Sequence, residues 1–266
     1  MTYSFITANY VARELGYTMT EGWMQGDAAT QAAFSPTESF PQKFETMLRD
    51  IKGLGFTTID LWLAHLNPDW ATDEHLTVAK TLLEKREMTV NSLAGSVRTL
   101  EGLKKTCMIA QALGAEAIAG GAPVLAEDRV EAVAVLKEYG VKLGIENHPE
   151  KTPEAILRQI GDGADGHIGT ALDTGWWGTQ GYDAAQAIRD LKNHLIAVHM
   201  KDVKAAGAHE TCALGEGIVD IKACLKALQK VGYKGVVGIE HEPEEFDPSD
   251  DIVKSHKRLQ AWEEQA

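Results

Sequence analysis

Apolar residues recur along the chain in two alternating spacings. Short β-branched runs lie at Ser4 to Ala8, Thr57 to Leu63, Met88 to Leu93, Ala115 to Ala119, Val141 to Glu146, His167 to Asp173, Leu195 to Met200 and Gly235 to Glu240. Between them are longer stretches with apolar residues at i, i+3, i+4 and i+7, such as Phe44, Met47, Leu48 and Ile51, or Leu103, Cys107, Ala110 and Leu113, the spacing of an amphipathic helix. Several of these stretches end at glycine just before the next strand, at Gly53 and Gly55, Gly114, Gly140 and Gly232, where a left-handed helix C-cap would suit that residue. Strands alternating with helices imply a parallel sheet. Eight such strands in 266 residues predict the α/β class and a single (β/α)8 TIM barrel, with residues 1–266 as one domain.

No Pro/Gly/Ser-rich linker, low-complexity tract or residue-level repeat divides the chain. The longest insertion runs from Tyr10 to Phe40, after the first strand, and carries Trp23. In a barrel that position falls on the C-terminal face, where active sites form. The segment reads equally as a functional lid or an ordinary surface loop.

A formal net charge of −13 would repel a phosphodiester backbone and anionic lipid, so nucleic acids and membranes are not expected partners. The amino terminus lacks a basic segment followed by a long apolar run, and no stretch is long and apolar enough to span a bilayer; a cytoplasmic protein is expected. Cys107, Cys212 and Cys224 have no CxxC spacing and read as reduced core thiols. Assembly into a homo-oligomer is left open.

Four polar residues end the last four strands, each after a run that should be buried: Glu146, Asp173, His199 and Glu240. In a parallel barrel these side chains converge on one small volume. Three carboxylates meeting there must either retain protons or be neutralised by a cation, and a divalent metal is the simpler answer. Three oxygen donors and one imidazole suit Mn2+, Mg2+ or Co2+ better than a structural Zn2+ site, which would favour cysteine.

Side-chain parity adds His148, Gly175, Lys201 and Glu242, each two residues beyond a ligand. Lys201 could stabilise negative charge on a substrate oxygen, against a structural salt bridge with Asp202 or a nearby acid. His148 could contact a substrate hydroxyl. Glu242, in the acidic run EHEPEE, is expected to be a solvated loop charge. His65, Trp23 and Trp176 are the substrate-binding expectations, the two tryptophans as flat faces for a sugar ring, and Arg98 is a weaker one.

With these residues in hand, the chain resembles the xylose isomerase-like barrel superfamily of sugar isomerases and epimerases, including D-tagatose 3-epimerase and inosose isomerase and dehydratase relatives. The resemblance covers nearly the whole chain. It is most specific in the second half, where IEN at Glu146, LDTGW at Asp173, VHMKD at His199, GEGIVD at Gly215 to Asp220 and IEHE at Glu240 follow in the family's order. It implies that Glu146, Asp173, His199 and Glu240 coordinate one catalytic metal, and that Glu146 and Glu240 also handle protons on opposite faces of a substrate carbon. Abasic-site endonucleases share this barrel, but Trp176 stands where their pattern would place a histidine ligand.

The expected activity is a metal-dependent isomerase or epimerase of a non-phosphorylated ketose, oxo-sugar or cyclitol, proceeding through an enediolate. A lyase that dehydrates a keto-inositol or cleaves a 3-oxo-glycoside by β-elimination is the alternative, ahead of a non-catalytic sugar-binding barrel.

Overall fold

The computed structural model describes residues 1–264. Its strands are β1 (Thr2–Ile6), β2 (Thr58–Trp62), β3 (Thr89–Ala94), β4 (Ala117–Gly120), β5 (Lys142–Glu146), β6 (Ile168–Asp173), β7 (Leu195–Val203), β8 (Thr211–Cys212) and β9 (Val236–Glu240). Parallel pairing runs from β1 through β7, then to β9, which returns to β1 and closes the barrel. The short β8 pairs antiparallel with the end of β7. Each expected strand is present, within a few residues of its expected bounds. The hairpin of β7 with β8 is an addition that Leu195 to Met200 did not anticipate.

Helices cover the outside. The first half carries α1 (Trp23–Phe34), α2 (Phe40–Gly53), α3 (Asp73–Arg86), α4 (Leu100–Leu113), α5 (Val124–Glu127) and α6 (Arg129–Tyr139). The second half carries α7 (Pro153–Ile160), α8 (Thr174–Thr179), α9 (Ala184–Asp190), α10 (Ile221–Lys230) and α11 (Ser249–Glu263). The apolar periodicity decides which face they bury: Phe44, Met47, Leu48 and Ile51 of α2 are inside, as are Leu103, Cys107 and Ala110 of α4. Local capping sets the ends of α4. Thr99 accepts the Gly102 N–H at 3.1 Å and Gly114 closes the helix in the left-handed region, a cap of this kind contributing about 1 kcal/mol. Gly140 does the same for α6. Gly53, by contrast, is the last helical residue of α2, and the positive φ falls at Gly55.

Strand parity divides the core. Leu143, Ile145, Leu172, Val198, Met200, Val237 and Ile239 belong to the main apolar cluster shared with the helices. The alternate positions, which share the facing of the strand-end polar residues, are small: Gly144, Gly169, Ala171, Ala197 and Gly238. Ala119, Ala171 and Ala197 form a separate small cluster. A barrel lined this way leaves room above it for large polar side chains. The buried Asp60 on β2 accepts hydrogen bonds from Ser4, Asn91 and Ser92.

The three cysteines are free and buried. Among the described residues, no helix is long and apolar enough to cross a membrane.

Candidate metal centre

Strand register produces the convergence that the strand ends promise. Asp173 is the direct β-partner of His199, and Lys201 is the direct partner of Glu240. With Glu146 at the end of β5, each of Glu146, Asp173, His199 and Glu240 offers one ligand atom within 4.8 Å of all the others. Asp173, His199 and Glu240 are buried, while Glu146 keeps partial access to solvent.

Asp173 does two jobs. Its Oδ1 accepts the Trp176 N–H at 2.9 Å and so caps α8, whereas Oδ2 has no partner. Both ring nitrogens of His199 are also without a hydrogen bond; Nδ1 stands 3.1 Å from Glu240 Oε2 but outside hydrogen-bond geometry. Buried polar atoms left unpaired cost about 1–3 kcal/mol each. One divalent cation would satisfy Asp173 Oδ2 and one of the His199 nitrogens together, since carboxylate oxygen and neutral imidazole are its ordinary donors. The residues present fit such an ion.

The electrostatics point the same way. Burial raises the Glu146 carboxyl to about 8, with Glu240 and Asp173 adding to the effect. Burial likewise raises Asp173 to about 6, opposed by Lys201 and reinforced by Glu240. At Glu240 burial also resists ionisation, but Lys201 and His199 hold the group well below the usual carboxylate range. Burial works against a proton on His199, and the adjacent Glu240 outweighs it, raising the ring to about 9. A cluster without a cation therefore balances its charge with protons on Glu146 and His199 and with the Lys201 ammonium.

Lys201 Nζ donates to Glu240 Oε1 at 2.6 Å and Glu242 Oε2 at 2.9 Å, and lies 3.8 Å from Asp173 Oδ2. Burial disfavours its charge, but Glu240, Glu242 and Asp173 overcome this and raise its pKa well above that of an ordinary lysine. Its backbone N–H and C=O both pair with Thr174 Oγ1. A Cβ on Gly175 would sit 2.6 Å from Lys201 Cγ, so only glycine lets the lysine stem cross the first turn of α8.

Residues 10–262 match the family model described as the xylose isomerase-like TIM barrel. The chain belongs to this family.

Over 121 residues this family member is 31% identical to an uncharacterized protein of Methanocaldococcus jannaschii. Over 96 residues it is 30% identical to mannonate dehydratase of Oceanobacillus iheyensis. The two alignments take in 42% and 34% of this chain, and only 41% and 28% of those relatives. Among solved structures, a D-tagatose 3-epimerase-like protein superposes with a TM-score of 0.73 at 18% identity, covering 100% of this chain and 98% of the other. The IolI protein with a bound zinc atom gives 0.71 at 16% identity, covering 100% and 99%. At such identities the likeness establishes the shared barrel fold.

Around the four-residue cluster of this xylose isomerase-like barrel, the remaining expected site residues separate. Trp23, the first residue of α1, crosses the C-terminal face, packs edge-on against Trp62 at 5.0 Å and donates Nε1 to Glu242 Oε1 at 3.2 Å. Glu242 is accordingly not the solvated loop charge its acidic surroundings suggested. Its side chain is 12% exposed because two donors draw it inward. Burial raises it to about 7, with Lys201 opposing.

Trp176 flanks the cluster with its ring 5.0 Å from Lys201 Nζ. The exposed His148 ring lies against it, 3.7 Å between centroids. His65 goes elsewhere. It is 2% exposed, contacts Thr7 Oγ1 at 3.1 Å and the rings of Phe34 and Trp62, and borders a cavity of about 310 Å3 shared with Tyr10, Arg13 and Met47.

That burial, with a minor contribution from Arg13, lowers the His65 pKa from 6.5 to about 3. A depressed folded-state value means that between those two pH values the unfolded chain binds a proton the folded chain refuses, so stability falls as pH drops through the window. Urea unfolding at pH 4.5 should show a loss of about 2–3 kcal/mol attributable to this ring relative to pH 7. His65→Gln should flatten that part of the slope, and an identical pH dependence in both proteins would contradict the assignment.

Sequence parity passed over several supporting residues. Asn147, immediately after Glu146, brackets the Asp173 backbone: Nδ2 donates to its C=O at 2.9 Å and Oδ1 accepts its N–H at 2.7 Å. Asn9 does the same at β9, donating to Ile239 O at 3.0 Å and accepting His241 N–H at 2.7 Å. Asp202 does not pair with Lys201. It accepts backbone N–H groups of Val203, Gly215, Gly217 and Val219 and thereby shapes the GEGIVD loop. A Cβ on Gly217 would stand 2.3 Å from both Asp202 Oδ1 and Val203 O, which accounts for the glycine.

Proposed function

We propose that this protein is a divalent-metal-dependent isomerase or epimerase acting on a non-phosphorylated ketose, oxo-sugar or cyclitol through an enediolate. One observation carries the reading: three carboxylates and an imidazole meet within 4.8 Å, with Asp173 Oδ2 and both His199 nitrogens unpartnered. A divalent ion held there, Mn2+ by preference, would supply Lewis-acid stabilisation for negative charge developing on substrate oxygens.

The chain's own residues divide the proton work. Glu240, which accepts a hydrogen bond from the Lys201 ammonium at 2.6 Å, is the base for the substrate C–H. Glu146, across the cluster with partial access to solvent, returns a proton to the opposite face. The Lys201 ammonium stabilises charge on a neighbouring substrate oxygen. Trp23 and Trp176 offer flat faces to an apolar sugar surface, and His148 a hydroxyl contact. The acidic run after β9, with Glu244, Glu245 and Asp247, opposes a phosphate group.

The likeness to mannonate dehydratase over 96 residues favours a second reading, in which the same abstraction is followed by loss of a β-substituent. Metal analysis of the purified protein, then a screen of oxo-sugars, inososes and ketohexoses in D2O followed by NMR, tests both. Epimerisation or isomerisation exchanges a C–H without losing a group, whereas elimination creates an enol or enone. No bound metal and no C–H exchange with any substrate would overturn the proposal.

A further inference from the structure

We propose that Glu242 is a positioning residue that couples docking of the segment around Trp23 to the placement of Lys201. This rests on the function proposed above, in which the Lys201 ammonium works beside Glu240.

The two oxygens of Glu242 are used separately. Oε1 accepts Trp23 Nε1 at 3.2 Å, and Oε2 accepts Lys201 Nζ at 2.9 Å. The carboxylate therefore bridges a residue of the β1–α2 insertion and the lysine that also reaches Glu240 at 2.6 Å. Glu242 lies just past the end of β9, and its N–H is held by Thr211 Oγ1 at 3.2 Å, so its backbone is anchored independently of Trp23. Trp23 is placed by the rigid end of β2, where the 4% exposed Trp62 supports its ring. A second tie joins the insertion to the same post-β9 loop, from Met19 N–H to Glu244 O at 3.4 Å.

These contacts form one line from insertion to reaction centre: Trp62, Trp23, Glu242, Lys201, Glu240. With Trp23 docked, the Glu242 carboxylate is occupied by both donors, and Nζ is held between Glu240 and Glu242. When Trp23 leaves, that carboxylate loses the donor fixing its far oxygen. It can then rotate toward solvent and release Nζ toward Asp173, which already stands 3.8 Å away. The insertion thus acts on the lysine through a single carboxylate, and Lys201 is in its working place only under a docked segment.

Hydrogen–deuterium exchange and NMR of the Lys201 ammonium protons, both on the full chain with diamagnetic MgCl2 present, test the coupling. Glu242→Ala and Trp23→Phe should each speed amide exchange across residues 17–26 by about tenfold, the effect of one lost buried hydrogen bond. Glu242→Gln, which keeps an acceptor for Trp23, should change it less than about twofold. Trp23→Phe should also speed exchange of the Lys201 ammonium protons by at least about threefold, although Trp23 makes no hydrogen bond to that lysine. Three outcomes would overturn the proposal: unchanged protection of 17–26 in both variants, faster exchange there with Lys201 unaffected by Trp23→Phe, or a uniform loss of protection that makes Glu242 a general structural residue. Full turnover by Glu240→Gln would remove the proposed function while leaving these exchange results standing.

Discussion

Replacing Glu240 by glutamine is expected to lower kcat for a confirmed substrate by at least about a thousandfold, within the range for loss of a catalytic acid or base. The amide matches the carboxylate in volume, so the pocket keeps its shape. It cannot accept a proton, and it is a weaker partner for both Lys201, at 2.6 Å, and the neighbouring His199. Binding of Mn2+ should weaken as well, because one anionic donor of the four-residue cluster is gone. Glu146→Gln provides the contrast. With Glu240 still ionised, that variant should continue to exchange a substrate C–H with D2O while failing to form the inverted product. Glu240→Gln should stop both. Calorimetry of the two variants against wild type separates these effects from unfolding, and full turnover by both would end the catalytic reading of this cluster.

A comparably large effect on stability is expected at Asp202, which touches no ligand. Its side chain is fully buried. Oδ1 accepts Val203 and Val219 N–H, while Oδ2 accepts Gly215 and Gly217 N–H, at 2.9 to 3.0 Å. Asp202→Ala strands four backbone donors in one small space. Each orphan costs about 1–3 kcal/mol before relaxation, so a net loss of about 3–5 kcal/mol and a fall in Tm of roughly 10 °C are expected. Asp202→Asn should lose less, because its remaining oxygen still serves two of the four donors and only its NH2 group faces the others. An alanine variant melting within about 2 °C of wild type would show that water replaces the carboxylate without cost.

The barrel was legible because its signals are periodic. Apolar spacing marked α2 and α4, and Gly114 marked where α4 ends. Strand ends were placed less well where local geometry changes. Ala8 belongs to a 3-10 turn that begins at Thr7, and β7 runs on to Val203 because β8 pairs with its extension. The four cluster residues were legible for a different reason. The end of every strand in a parallel barrel lies at the C-terminal face, and shared parity turns these four side chains to the same side, so sequence position places them together.

Other roles depended on contacts that no local pattern contains. Asn147 lies one residue from Glu146, on the opposite parity, and its function is visible only as paired hydrogen bonds across 26 positions to Asp173. Glu242 sits in an acidic run that reads as solvent-facing, yet donors from positions 23 and 201 draw it inside. His65 follows a strand and shares the expected face, but aromatic neighbours from distant segments bury it apart from the four-residue cluster.

From sequence by itself came the closed parallel barrel, the apolar faces of its helices and the meeting of Glu146, Asp173, His199 and Glu240, since all of these follow from periodicity and chain direction. Tertiary structure alone decided which oxygen of Asp173 is left over, where Lys201 places its charge, and that Glu242 turns inward to bridge Lys201 and Trp23. Those outcomes are set by distances between atoms brought together from far along the chain, and hydrogen bonds and ion pairs depend on such distances within a few tenths of an ångström.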